Sequence, residues 1–342
     1  MHLLGCRLDY SSFTKVTTSS QFIMIFSLSR PLHIHVPHRL SVARAFWLIV
    51  LLVVPLTGHS AACRPVAAVK PVATEGQDFK HGLLWKIETP GVAPSYLFGT
   101  YHTSDPRITT LPCPVREIFN RTSSYTMEVI FNGAGIVSMA EAMFFSDGKT
   151  LKDVLGEPLY QETLRLLGTS ETSGNSINNM KPWAVMMTLL YPREGGGLFL
   201  DMALQLAATR YGKPTYGLET MQEQIAVFDD MSIEDQVALL RDTVQNQELT
   251  QSAAEELTQA YLKRDLGALL VVSEKFKPQD ARVHDALMER LLLRRNINMA
   301  ERMRVRLKEG NAFVAVGALH LPGDDGLLNL LSRAGYRVSP VY

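Results

Sequence analysis

Cysteine is scarce in this chain: Cys6, Cys63 and Cys113 are the only three among 342 residues, and no two of them form a CxxC pair. Zinc-ribbon and thioredoxin-type chemistry, which need such spacing, are thereby excluded. An imbalance of charge is missing as well. Lys and Arg number 34 and Asp and Glu 34, so no global field draws the chain to anionic polymers or surfaces, and nucleic acid is not expected as a partner. Gly195-Gly196-Gly197 lacks the Lys-Ser/Thr and the wider glycine spacing of a P-loop, and reads as a flexible connector. Long apolar runs are also missing. The run from Phe46 to Leu56 extends over only about a dozen residues, short for a membrane-crossing helix.

What is present around that run has the form of an export signal. Arg39 and Arg44 lead into it, and Gly58-His59-Ser60-Ala61-Ala62 supplies small residues before Cys63. Residues 1–62 are therefore expected to be a removable leader with an over-long start, for which Met24 offers an alternative first residue. Cleavage before Cys63 would leave that cysteine at the mature N-terminus, where lipidation could tether the protein to a membrane. The quartet Ser60-Ala61-Ala62-Cys63 lacks the usual Leu three residues before the cysteine, so soluble export is the competing expectation, and a retained anchor is a third. Either of the first two outcomes places the mature chain in the periplasm or on its membrane. A Cys63–Cys113 disulfide is allowed in such a compartment, although no spacing rule indicates it.

The mature text, 46% hydrophobic and 20% charged over the whole sequence, has ample material for a core. Residues 63–80, with Pro65 and Pro71, form a flexible linker, and one domain is expected over 81–342 with a helical insertion at about 150–307. Leu83–Glu88 and Ser95–Gly99 read as a hairpin around Pro90, Gly91 and Pro94. Val115, Ile118 and Phe119 repeat at helical spacing before a third strand at Ser124–Val129, a crossover that predicts parallel strands in one sheet. Helical segments then dominate, broken by loops at Gly156-Glu157-Pro158 and from Ser170 to Asn179. A short strand at Lys213–Leu218 interrupts them, and residues 232–307 are expected to form a separate packing layer or subdomain. The end of the chain gives a strand at Ala312–Val316, a helix at Gly326–Leu331 and an edge strand at Tyr336–Val338. The fold class is α+β, a mixed central sheet built from N- and C-terminal strands with a large helical middle layer.

One pattern occurs twice: Gly99-Thr100-Tyr101-His102 and Gly317-Ala318-Leu319-His320, each directly after a strand-like run. Gly three residues before His makes sense where the chain turns sharply or where a ligand approaches the backbone closely. Two imidazoles on neighbouring strand ends, joined by a carboxylate from Glu219 or Glu128, would suit a divalent Zn, Mn, Co or Fe ion. A strand-end His that only hydrogen-bonds a loop is the ordinary alternative. Tyr101 reads as an aromatic rim on a neighbouring helix or a substrate contact, His284 as a solvated helix residue, and Trp183 with Met186-Met187 as core.

A wider set of residues carries a resemblance. Leu83-Leu84-Trp85-Lys86-Ile87, Tyr96 through His102, Gly217-Leu218-Glu219-Thr220, Arg295-Asn296 and Val316 through Gly323 occur in the order found in the TraB/GumN family. Gly326 through Leu331 and Gly335-Tyr336 add to the match. The chain resembles this family, which includes the TIKI proteases and belongs to a wider group with the erythromycin esterases and the haem-binding ChaN proteins. The resemblance implies an EreA/ChaN-like fold and a metal-dependent, peptidase-like hydrolase acting on a peptide or small amide or ester. It also implies His102, His320 and Glu219 as metal ligands, with Glu219 or Glu128 as the base and Gly99, Gly317, Arg295 and Asn296 in support. Arg295 would stabilise an oxyanion or orient a carboxylate, against the plain alternative of a charged helix face. Non-catalytic capture of a peptide or haem is the other function the resemblance allows, and a degenerate member whose motifs serve only packing is the third.

Overall fold

The computed structural model describes residues 79–170, 175–190 and 198–342. The leader, Cys63, nearly all of the 63–80 linker and the Gly195-Gly196-Gly197 connector lie outside these residues. Among the described residues no helix is long and apolar enough to cross a membrane.

Six strands form one sheet: β1 (Leu84–Glu88), β2 (Ser95–Thr100), β3 (Ser124–Val129), β4 (Thr215–Glu219), β5 (Ala312–Gly317) and β6 (Arg337–Pro340). Their order is β4-β3-β5-β2-β1-β6. The expected hairpin is there, with Lys86 opposite Tyr96 in antiparallel register. Across β2, β5, β3 and β4 every pairing is parallel, with Phe98 opposite Ala315, Thr126 opposite Val314 and Val129 opposite Glu219. The sheet is therefore mixed and the class α+β, with β6 on the expected edge.

β5 owes its central place to composition. Ala312 through Val316 carry no polar side chain and are all fully buried, the continuous apolar run of a parallel strand covered on both faces. A strand from the end of the chain thus enters between two from the beginning. That insertion brings the two Gly-x-x-His segments together at one end of the sheet.

The helical middle divides between two cores. Tyr261, Leu266, Met299, Met303 and Leu307 pack with Phe98, Phe119 and Phe313 against the sheet. Leu151, Tyr160, Leu164, Val185, Leu240 and Val283 form their own cluster. Residues 232–307 are shared between the two: Met299, Met303 and Leu307 line up at i, i+4 and i+8 and face the sheet, whereas Val237, Leu240 and Val283 join the second cluster. At Gly156 the chain takes φ +72° and ends the Leu151–Leu155 helix. Glu157 and Pro158 then open the Glu157–Leu166 helix rather than a loop, since proline costs nothing in a first turn. Asn175–Asn178 is likewise a short helix within the expected Ser170–Asn179 loop.

One helix, Gly133–Ala142, goes unannounced by its composition. Two glycines disfavour it, but the Asn132 side chain caps it by accepting from the Gly135 N–H at 2.8 Å. Met139 and Ala142 then pack on Met221 and Ile225.

Candidate functional site

The parallel strands end together, and their C-terminal ends are where an α/β crevice usually takes its ligand. Thr100 of β2 is in register with Gly317 of β5, so the two Gly-x-x-His segments leave the sheet side by side. Glu128 lies one residue before the end of β3, and Glu219 is the last residue of β4.

Protein atoms come close to both glycines, most tightly to Gly99. A Cβ on Gly99 would lie 2.8 Å from Leu321 Cδ1 and 3.1 Å from Ala318, the turn that carries the second histidine. A Cβ on Gly317 would lie 3.3 Å from Glu128 Oε1, and it is the Gly317 N–H that donates to that oxygen at 2.6 Å. What comes close to each glycine is therefore the protein's own atoms, where the sequence reading expected a sharp turn or a ligand.

His320 ends a short 3₁₀ turn, Ala318–His320, and is buried. Its tautomer follows from the network behind it. Asn296 Nδ2 donates to the Asp325 carbonyl at 2.9 Å, so Asn296 Oδ1 accepts from His320 Nδ1–H at 2.6 Å. Nε2 is left with its lone pair, 3.6 Å from Glu128 Oε1. Burial pushes the His320 imidazole down to about 4, so it is neutral near pH 7.

Glu128 and Glu219 share one cation. Arg295 Nη2 donates to Glu128 Oε2 at 2.6 Å and to Glu219 Oε2 at 2.7 Å, while Nε donates to Glu219 Oε1 at 2.9 Å. Gln224 Nε2 bridges the same two carboxylates at 3.1 and 3.2 Å. Burial raises the Glu128 carboxyl, but His320, Arg295, His102 and the Gly317 N–H outweigh it and hold it down at about 2. Arg295 and Asn296 are consecutive, set at the start of the Arg294–Glu309 helix by a π-helical turn at Glu289–Leu293. A π turn of this kind shifts helical register, and here it precedes the two residues that reach different partners.

His102 is placed differently. It follows β2 in irregular chain, its side chain is 43% exposed, and it packs on the Phe199 ring at 5.7 Å. Its Nε2 lies 3.4 Å from Asp201 Oδ2. Asp201, in the first turn of the Leu200–Arg210 helix, is buried and accepts from Thr100 Oγ1 at 2.7 Å through Oδ1. Burial raises its carboxyl above the usual range, against the lowering fields of His102 and Thr100.

The structure thus brings Glu128 to His320 and ties Glu219 to Arg295 and Gln224. Arg295 is a clamp between carboxylates, so the charged helix face is set aside. Among the described residues no set of three or more His, Cys, Asp and Glu side chains is closed tightly enough to hold a metal ion; the donors come as two pairs. Asp201 and Gln224 went unread in the sequence. Asp201 left one trace, an acid beside Leu200, Leu204 and Ala208 on the buried face of an otherwise apolar helix stripe.

The remaining candidates pack within the fold, Tyr101 as the expected aromatic rim on a neighbouring helix. Tyr101 stacks on Tyr261 at 5.7 Å, and the Tyr261 hydroxyl donates to the Gly99 carbonyl at 2.8 Å. Trp183 stacks on Phe228 and donates to Asp229 Oδ1 at 2.9 Å, with Met186 buried nearby. His284 is buried rather than solvated, because Val283 beside it anchors that helix in the second cluster. Cys113 is disulfide-bonded, and the other two cysteines lie outside the described residues.

The fold is thus an α+β domain in which two histidines and two buried carboxylates gather at the ends of parallel strands, with one helix-borne arginine between the carboxylates. The chain belongs to the TraB/PrgY/gumN family, whose model matches residues 83–340. It is 24% identical over 324 residues to the Homo sapiens protein Metalloprotease TIKI1, covering 79% of this chain and 63% of that one. Identity to Metalloprotease TIKI2 of Danio rerio is also 24%, over 79% of this chain and 62% of the relative. For Metalloprotease TIKI2 of Xenopus tropicalis it is 23%, over 77% and 60%. The chain spans about three-fifths of the length of these relatives. No solved structure matches it.

Proposed function

We propose that this chain is an exported, metal-dependent hydrolase of peptidase type, with its site at the ends of β2, β3 and β5. The observation that carries the reading is the His320–Glu128 pair. A lone pair on Nε2 faces an ionised carboxylate oxygen at 3.6 Å in a buried setting, an arrangement that is unfavourable unless a cation joins the two. The local charge balance points the same way, since one Arg295 stands against Glu128 and Glu219.

The donors are imidazole nitrogen and carboxylate oxygen, a set suited to Zn, Mn, Co or Fe. His320, Glu128 and His102 would hold the ion, which when bound supplies an acidified water and polarises a carbonyl. Asn296 presents His320 in one tautomer, the outer-shell contact a metal-binding histidine needs. Arg295 orients Glu128, and Glu219 holds Arg295 in place; Glu219 is thus assigned a positioning role rather than that of ligand or base. Half-exposed His102, with Phe199 beside it and Phe131 against Phe199, marks the side from which a peptide or a small amide or ester would arrive. Peptide hydrolysis is favoured by the relatives' name of metalloprotease. The leader text supports export to the periplasm, free or tethered through Cys63.

The test is hydrolysis of a mixed peptide library by the chain starting at Cys63. Cleavage should stop with a chelator, return with Mn, Co or Zn, and be lost in His320→Ala. Peptide or haem binding by wild type without any cleavage would replace this reading with the sequestering one.

A further inference from the structure

Asp201 has no role in the site as read so far, yet its side chain is only 5% exposed and its Oδ2 has no hydrogen-bond partner. An acid in the first turn of a helix normally turns outward or caps a backbone N–H. This one turns inward, with Thr100 Oγ1 fixing Oδ1 and leaving Oδ2 directed at His102 Nε2, 3.4 Å away. That spacing is long for a hydrogen bond, which would bring the atoms to about 2.7–3.2 Å. It matches two donors of one ion, because bonds of about 2.1 Å in tetrahedral coordination set neighbouring ligand atoms about 3.4 Å apart. The spacing of His320 Nε2 and Glu128 Oε1, at 3.6 Å, is of the same kind.

We propose that Asp201 is itself a metal ligand, pairing with His102 at the end of β2 as Glu128 pairs with His320 at the ends of β3 and β5. Thr100 is then its positioning residue, and the site takes a divalent cation through two imidazoles and two carboxylates. The inference rests on the reading of the site as a metal centre.

The experiment uses the chain from Cys63 with Co(II) as probe, following both the visible absorption of the bound ion and thermal unfolding with and without it. In Asp201→Asn, Co(II) affinity should fall by more than about tenfold and the absorption band should change shape. Without metal the same variant should melt at or above the wild-type temperature, because an unsatisfied buried charge has been removed. Asp201→Glu should recover part of the affinity. Unchanged affinity and spectrum in Asp201→Asn, with a lowered melting temperature in the metal-free protein, would assign Asp201 a structural role only and overturn the inference while leaving the metal centre intact. Absence of Co(II) binding by wild type would overturn both.

Discussion

The two Gly-x-x-His segments share a pattern and differ in almost every physical respect. His320 is buried, its Nδ1 proton is committed to Asn296, and its ring stands against a carboxylate that Arg295 holds. His102 is half exposed, lies in irregular chain and meets Asp201 and an aromatic ring. The difference comes from what stands behind each. Behind His320 are the Arg294–Glu309 helix and a 3₁₀ turn; behind His102 the chain continues to the surface. One histidine is pre-organised and the other faces solvent, the division expected where one side of a site fixes an ion and the other admits substrate.

The comparison breaks most severely at Arg295. Replacing it with Met leaves Glu128 and Glu219 buried without their cation, and urea unfolding should show a loss of about 3–5 kcal/mol in the metal-free protein. A loss below about 1 kcal/mol would mean that the clamp is not what holds the His320 side together.

Acid acts on the same side. The His320 imidazole has an ordinary value of 6.5 and about 4 in the fold, so between these the unfolded chain binds the extra proton and stability rises with pH. The metal-free protein should lose on the order of 3 kcal/mol as pH falls from 6.5 through 4, and Glu128 should extend the loss from 4.5 toward 2. His320→Gln should flatten the upper part of that profile.

Asn296→Ala tests whether the tautomer matters. Metal affinity should drop by about 10–100-fold, with a stability cost of about 1–3 kcal/mol for the orphaned Nδ1–H, as read by metal titration and unfolding. Gly99→Ala sharpens the other side. Its methyl would press on Leu321 and Ala318, which should cost about 1–3 kcal/mol by overpacking while metal affinity falls less than in Asn296→Ala.

Much of this was legible in the sequence, for identifiable reasons. Strands β1, β2, β3 and β5 are short runs rich in β-formers bounded by turn residues, and each Gly-x-x-His follows one of them, so the strand-end placement of both histidines could be read directly. That Glu128 rather than Glu219 would face His320 could not. Both are acids at the ends of short strands, and only the order β4-β3-β5, which places β3 next to β5, separates them. Asp201 stayed hidden because a single carboxylate within an amphipathic helix looks like an exposed residue until the helix is docked. His284 shows the same limit, since Val283 decides which side of that helix is buried. The Gly133–Ala142 helix was obscured by its glycines, whose cost is met by a cap and by packing on Met221.

The central claim is that the ends of β2 and β5 make one metal site. The most direct measurement is divalent-metal stoichiometry of the chain from Cys63, by calorimetric titration, in wild type, His102→Ala and His320→Ala. The account predicts saturable binding in wild type, its loss in His320→Ala and a clear weakening in His102→Ala. Binding at wild-type affinity in both variants would contradict it.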